Sequence, residues 1–229
     1  SCPARADTGM VDAPAGPFDR HRRRMPCGDA LMADDRTLAV YAAKAGDYAE
    51  RFAAKAPGTH LKAFMAALPD NARVLDFGCG PGQAASVMIS SGHRVDAWDA
   101  SPDMANIAAD RFGVDVRVAT FDMLSARARY DAIYANFSLL HLPKDEMPDA
   151  LARIATALKP GGLLHLGLKT GRGEQRDKLG RFYAYYGEDE IINLLQDAGM
   201  TVTSKATGEE AGLDGTVSPW IILRATHHD

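Results

Sequence analysis

The spacing of apolar residues changes along the chain, and each change marks an element. Between Asp35 and about Ala54, Leu38, Tyr41, Ala45, Tyr48 and Phe52 recur every three to four residues. That period predicts an amphipathic helix with Asp34 or Asp35 as its cap. A second helix is expected over 59–68, stopped by Pro69-Asp70. The pattern then contracts into short apolar runs: 74–77, 94–99, 114–119, 130–136 and 163–168. Helical stretches alternate with them, beginning at Ala84, at Pro102 and at Lys144. Strands buried on both faces and separated by helices predict a parallel sheet sandwiched between helices. One more helix (188–198) and two last strands (201–205 and 217–224) should close the chain as an antiparallel hairpin.

Chemistry is concentrated at the ends of these strands. Val74-Leu75-Asp76-Phe77 runs into Gly78-Cys79-Gly80-Pro81-Gly82, and a helix follows at once. Glycines tolerate positive φ and let a ligand lie against the backbone, while the helix offers free N–H groups. Their spacing, acid-x-Gly-x-Gly-x-Gly, lacks the third glycine that a dinucleotide pyrophosphate would need. The second strand ends in Asp99, about 20 residues on, where a carboxylate can accept both hydroxyls of a ribose. Ser101 as N-cap and Pro102 behind it start the next helix.

The Asp76–Gly82 stretch resembles motif I of the class I S-adenosylmethionine-dependent methyltransferases. The resemblance extends from about Tyr41 to the C-terminus and includes Leu158-Lys159-Pro160-Gly161-Gly162-Leu163-Leu164 before the fifth strand. It implies a Rossmann-like α/β/α sandwich with a seven-stranded, mostly parallel sheet and an antiparallel last strand. It also implies S-adenosylmethionine as cofactor, with S-adenosylhomocysteine as product. The cofactor residues so implied are Asp76, Gly78, Cys79, Gly80 and Gly82 in the turn, and Asp99, Ala100 and Met104 after the second strand. Asp122 would accept from the adenine amino group, flanked by Phe121 and Met123; Asn136 and Phe137 would lie near the methionine end. Tyr41 and Tyr48 belong to a lead-in helix that folds over the cofactor in this family, although a buried helix face explains the tyrosines equally well. His141 is the one nearby side chain able to accept a proton near neutrality, and is the candidate general base. Arg176 and Arg181 are candidates to hold an anionic acceptor, and Tyr183, Tyr185 and Tyr186 to wall it.

Composition narrows the reading further. At 229 residues the chain suits one α/β domain with an extension, and a net charge of −4 argues against a surface built to grip nucleic acid. No apolar run reaches the roughly 18–20 residues of a membrane helix. Cys2, Cys27 and Cys79 have no metal spacing, so no metal is expected, and a reducing cytoplasm is the inferred compartment. Residues 1–31 are rich in Ala, Pro, Gly and Arg and are expected to be disordered; a functional chain starting at Met32 is one hypothesis for them. Residues 32–70 would cap the site and 71–229 would form the cofactor-binding domain.

The expected activity is methyl transfer to an oxygen, nitrogen or sulfur of a small-molecule acceptor, by a monomer or homodimer. A transfer-RNA-modifying methyltransferase and an inactive cofactor-binding partner subunit are the alternatives. Asn136-Phe137-Ser138-Leu139 stands where amino-methylating enzymes of DNA bases or glutamine carry Asn-Pro-Pro-Tyr. The glycine spacing speaks against a nicotinamide-dependent dehydrogenase.

Overall fold

The structure is a computed structural model that describes residues 34–44, 46 and 58–228. The predicted extension 1–31, the helical segment beyond Gly46 and Tyr48 lie outside the described residues. Helices α1 (Asp35–Ala43) and α2 (Thr59–Met65) precede strand β1 (Arg73–Phe77). Helix α3 (Gln83–Ser90), β2 (Arg94–Asp99), α4 (Pro102–Phe112), β3 (Val116–Val118) and β4 (Tyr130–Asn136) follow. Next come α5 (Met147–Ala157), β5 (Leu158–Lys169), a hairpin of β6 (Glu174–Arg176) and β7 (Phe182–Ala184), and α6 (Glu188–Asp197). Strands β8 (Met200–Ala211) and β9 (Val217–His227) end the chain.

Seven strands form one sheet in the order β3-β2-β1-β4-β5-β9-β8, and only β9 runs against its neighbours. This is the expected Rossmann-like sandwich. Alternate residues of each central strand feed opposite layers. Leu75, Phe77, Ile133, Leu164 and Leu166 pack with Leu151 and Ile154 of α5 and Ile191 and Leu195 of α6. Val74, Ala132 and Tyr134 face Leu61 and Phe64 of α2 and Met88 of α3. Each fully buried Val, Leu, Ile, Phe or Met among these stabilises the fold by about 1.5–3 kcal/mol. Among the described residues, no helix is long and apolar enough to cross a membrane.

Three boundaries differ from expectation. The Pro160-Gly161-Gly162 stop lies inside β5, because Leu158 already pairs with Tyr130 before a bulge brings Leu163 opposite Ala132. Gly161, at φ +72°, makes that bulge. Strand β8 extends to Ala211, well past the expected end near Lys205, because Gly208 is a packing site and not a turn. A Cβ there would lie 2.4 Å from the Trp220 ring. The third difference is the β6–β7 hairpin, in a stretch between the fifth strand and the 188–198 helix where the sequence pattern predicts no element.

Helix α3 packs on α4 through Gly82, which has φ +79° and whose absent Cβ would sit 2.8 Å from the Ala108 Cβ. Gly92 has φ +91° with nothing near it, so it isolates the conformational cost from the steric one. Gly82→Ala should therefore destabilise the protein by roughly 1–3 kcal/mol more than Gly92→Ala in urea unfolding. Equal losses would show that α4 moves away freely.

Candidate active site

The chain leaves β1 outward through β2 and β3 and returns to β4, so β1 and β4 are neighbours at a reversal of strand order. Open α/β sheets bind ligands at the carboxyl ends of strands at such a point. A cavity of about 190 Å³ lies there. The glycine turn borders it, tied to β2 by the Gly78 and Cys79 N–H groups, both donating to the Trp98 carbonyl at 2.9 Å. Gly78 has φ +78°, and a Cβ on it would strike the Ser138 side chain at 2.3 Å, so β1 and β4 close together only with glycine here.

Two carboxylates reach this cavity. Asp99 accepts from the Gly80 N–H through Oδ2 and from the Ser101 N–H through Oδ1, each at 2.8 Å. Each oxygen keeps a lone pair for a ligand hydroxyl. Burial raises the Asp99 pKa, against the Ser101, Gly80 and Ala100 N–H groups that favour its charge. Asp76 is 2% exposed, and its Oδ2 has no hydrogen-bond partner. Burial, and then the charge of Asp99, push its pKa up to about 7, while the Ala85 N–H pulls it down. A buried oxygen without a partner costs about 1–3 kcal/mol, so the cavity holds an unanswered negative site.

Over the opposite wall stands α1. Asp34 caps it, accepting from the Thr37 hydroxyl at 2.8 Å and from Arg176 at 3.0 Å. The Thr37 hydroxyl accepts the Phe182 N–H at 2.8 Å, docking α1 on the β6–β7 hairpin. One turn on, the Tyr41 hydroxyl receives Arg181 Nη1 at 3.2 Å and donates to His141 Nε2 at 2.8 Å. His141 Nδ1–H donates in turn to the Phe182 carbonyl at 2.6 Å. That chain assigns the proton to Nδ1 and leaves Nε2 as acceptor. Burial pushes the His141 pKa down to about 4; the Arg181 and Lys169 charges add to this, while the Phe182 bond and Asp177 oppose it.

A family model described as "Methyltransferase domain" matches residues 48–205. The chain belongs to the methyltransferase-domain family. Its fold is the class I, Rossmann-like one of S-adenosylmethionine-dependent members. An uncharacterized methyltransferase of Staphylococcus carnosus is 30% identical over 125 residues, 55% of this chain and 59% of that protein. A ubiquinone biosynthesis O-methyltransferase of Xanthomonas axonopodis is 37% identical over 106 residues, 43% of either chain. The chain thus aligns with about half the length of these curated relatives. The crystal structure of Burkholderia thailandensis 1,6-didemethyltoxoflavin-N1-methyltransferase has the same fold, with TM-score 0.64 and 24% identity, covering 94% of this chain and all of that one.

Of the positions that the methyltransferase resemblance singles out, the cavity brings together Tyr41, Asp76, Gly78, Cys79, Gly80, Asp99, Ala100, Met104, Phe121, Asn136, Phe137 and His141. Gly82, Asp122 and Met123 do not line it: Gly82 caps α3, Asp122 takes the Thr120 hydroxyl, and Met123 is exposed. Tyr134, Gln83 and Leu38 line it without having been singled out. Leu38 carried a signal, being one helical turn from Tyr41. Asn136 is oriented from behind, its Oδ1 accepting from the buried His165 at 3.0 Å. Phe137 adopts φ +57°, a strained conformation for a non-glycine residue, worth about 1–2 kcal/mol.

The expected acceptor-binding residues divide. Arg181 and Tyr183 line a second chamber that meets the first at Tyr41 and Phe137. Arg176, Tyr185 and Tyr186 line neither chamber. Arg176 is engaged by Asp34 and the Gly180 carbonyl, Tyr185 packs on Gly171, and Tyr186 is fully buried beside Lys144. Even Arg181 is not the free clamp its position suggests, because Asp177 binds it at 2.6 Å with both side chains buried. Lys169, Ser218 and Trp220 of the second chamber escaped the sequence reading.

The depressed His141 pKa has a measurable sign. Unfolding restores a pKa near 6.5, so between about pH 6.5 and 4 the unfolded chain takes up a proton that the native imidazole refuses. The associated stability is complete above about pH 6.5 and is lost as the pH falls toward 4. Imidazole nitrogen shifts should report a neutral, Nδ1-protonated His141 down to about pH 5. An imidazolium forming near pH 6.5 would refute the Arg181–Tyr41–His141–Phe182 chain.

Proposed function

We propose that the chain is an S-adenosylmethionine-dependent methyltransferase that alkylates an oxygen, nitrogen or sulfur of a small-molecule acceptor. The unpartnered Asp76 Oδ2 carries this reading. The cofactor bears an α-ammonium, which would answer that oxygen, and a ribose diol, which suits the free lone pairs of Asp99. Phe121 and Met104 supply apolar surface in the same cavity for a purine. Residues 34–44 would act as a cap, contributing Leu38 and Tyr41 to the cavity wall.

When bound, the cofactor supplies a methyl group already activated on a sulfonium, whose sulfur leaves with the electron pair of the broken bond. The protein's task is then alignment and exclusion of water, and orientation alone can be worth about 7–11 kcal/mol. Tyr41 and Phe137, where the two chambers meet, would align the acceptor atom. The neutral His141, with Nε2 taken up by the Tyr41 hydroxyl, is a weak base, so a proton displaced from the acceptor would pass through Tyr41 to reach it. The second chamber, of about 110 Å³, suits a small organic molecule better than a structured RNA.

Calorimetric titration with S-adenosylmethionine, S-adenosylhomocysteine and NAD tests the reading. Both sulfur ligands should bind in the micromolar range and NAD should not. Asp99→Ala should weaken binding about 10-fold or more; failure of both sulfur ligands to bind wild type would overturn the proposal.

Asp76 adds a prediction with opposite effects on affinity and stability. Its folded pKa of about 7 exceeds the unfolded value, so the native chain holds the extra proton between about pH 4 and 7. The stability penalty of its buried charge is therefore absent below about pH 4, grows through that window and is complete above pH 7. Asp76→Asn should stabilise the ligand-free protein, by about 2 kcal/mol more at pH 8 than at pH 5, while weakening cofactor affinity. Thermal unfolding at the two pH values measures the first effect and calorimetry the second.

A further inference from the structure

The second chamber contains a cation, Lys169, that no described residue pairs in a salt bridge. Among the described residues Lys169 makes no salt bridge; its Nζ lies 3.5 Å from the Ser218 hydroxyl and 4.4 Å from the centre of the Tyr183 ring. Arg181, the other cation of this chamber, is neutralised by Asp177, which takes its Nε and Nη2 at 2.9 and 2.6 Å. Glu210 lies at the exposed rim, and Asp214, whose charge also acts on Lys169, is bonded by the Thr216 N–H and hydroxyl. The Lys169 ammonium therefore points to an anion from the ligand. The remaining wall is apolar, with Phe137, Leu140, Leu213 and Trp220.

We propose that this chamber takes a planar, single-ring organic anion, its charge seated on Lys169 and Ser218 and its ring against Phe137, Leu140 and Trp220. This rests on the methyltransferase reading above and names the acceptor class for the same site. Lys169 ends β5 directly opposite Trp220 of β9, so the two pockets of the recognition pattern, charged and apolar, are set by one register. The reacting atom then lies toward Tyr41 and Phe137, away from the anionic group. A cationic acceptor is disfavoured by Lys169 and by the Arg181 guanidinium beside it. Partial burial and the Arg181 charge lower the Lys169 pKa, which fits a site that gains from a bound anion.

The test uses the full chain saturated with S-adenosylhomocysteine and titrated with 3,4-dihydroxybenzoate or its neutral counterpart, catechol. Wild type should bind the carboxylate at least about 10-fold more tightly than catechol, as a charge-assisted contact demands. Lys169→Met should erase the difference, Lys169→Arg should keep most of it, and neither should change S-adenosylhomocysteine affinity, which also reports that the variants fold. Equal binding of the two ring compounds to loaded wild type, or no binding of the carboxylate up to about 10 mM, overturns the inference and leaves the methyltransferase reading intact. Failure of S-adenosylhomocysteine itself to bind removes the parent reading, and this one with it.

Discussion

The hydrogen bond from the Gly80 N–H to Asp99 Oδ2 is the tie on which the site depends. It joins the turn after β1 to the end of β2, two segments that the parallel sheet brings alongside each other but does not by itself hold in register beyond their last ladder bonds. The neighbouring Gly78 and Cys79 N–H groups reinforce it by sharing the Trp98 carbonyl. With the turn fixed, α3 must start at Gly82, and the close approach of Gly78 to Ser138 brings β4 in from the other side. One short turn, its N–H groups donating to the end of β2, thus sets three walls of the cavity.

That arrangement concentrates negative charge where water is scarce. Asp99 disperses its charge into backbone N–H groups, whereas Asp76 has one oxygen with none. Their mutual repulsion raises Asp76 further. On the other wall, His141 is held neutral and Arg181 is cancelled by Asp177, so among the described residues neither carboxylate is answered by a cation of the protein. A fold optimised only for stability would remove Asp76 or pair it, and its unpaired oxygen is what the proposed cofactor ammonium would answer.

What was legible in the sequence follows from range. The strand–turn–helix at Asp76–Gly82, the Ser101-Pro102 helix start and the Asp99 strand end are set by residues within a few positions of one another, and local chemistry reveals them. The β6–β7 hairpin is different: Thr37, about 145 positions away, supplies the acceptor for its Phe182 N–H, and no local pattern signals that partner. The first strand of the last hairpin is expected to end near Lys205, while the reason it runs on through Gly208, the Trp220 ring packed against that glycine, lies on the next strand. Arg176 reads as a free cation for the same reason, its partner Asp34 lying 142 positions away, whereas Arg181 has Asp177 only four residues before it and that pairing is open to a local reading. Lys169 stood at a predicted strand end, yet its role emerges only from the register that sets Trp220 opposite.

The two chambers are built from different parts of the chain, and this separates their constraints. The first takes its polar groups from the ends of β1, β2 and β4, each tied to backbone that the sheet itself requires. The second takes its charged and aromatic groups from the end of β5, the β6–β7 hairpin and the antiparallel β8–β9 pair. Changes at Lys169, Tyr183 or Trp220 can therefore alter what the second chamber accepts without touching the Asp99–Gly80 tie. The two are nevertheless coupled at Tyr41, which lines both and bonds to His141 of one and Arg181 of the other. Any movement of α1 must break both contacts together, along with the Thr37 and Asp34 bonds that dock it. On the proposed methyl-transfer reading, closing one chamber would therefore close both, as exclusion of water from the reaction would require.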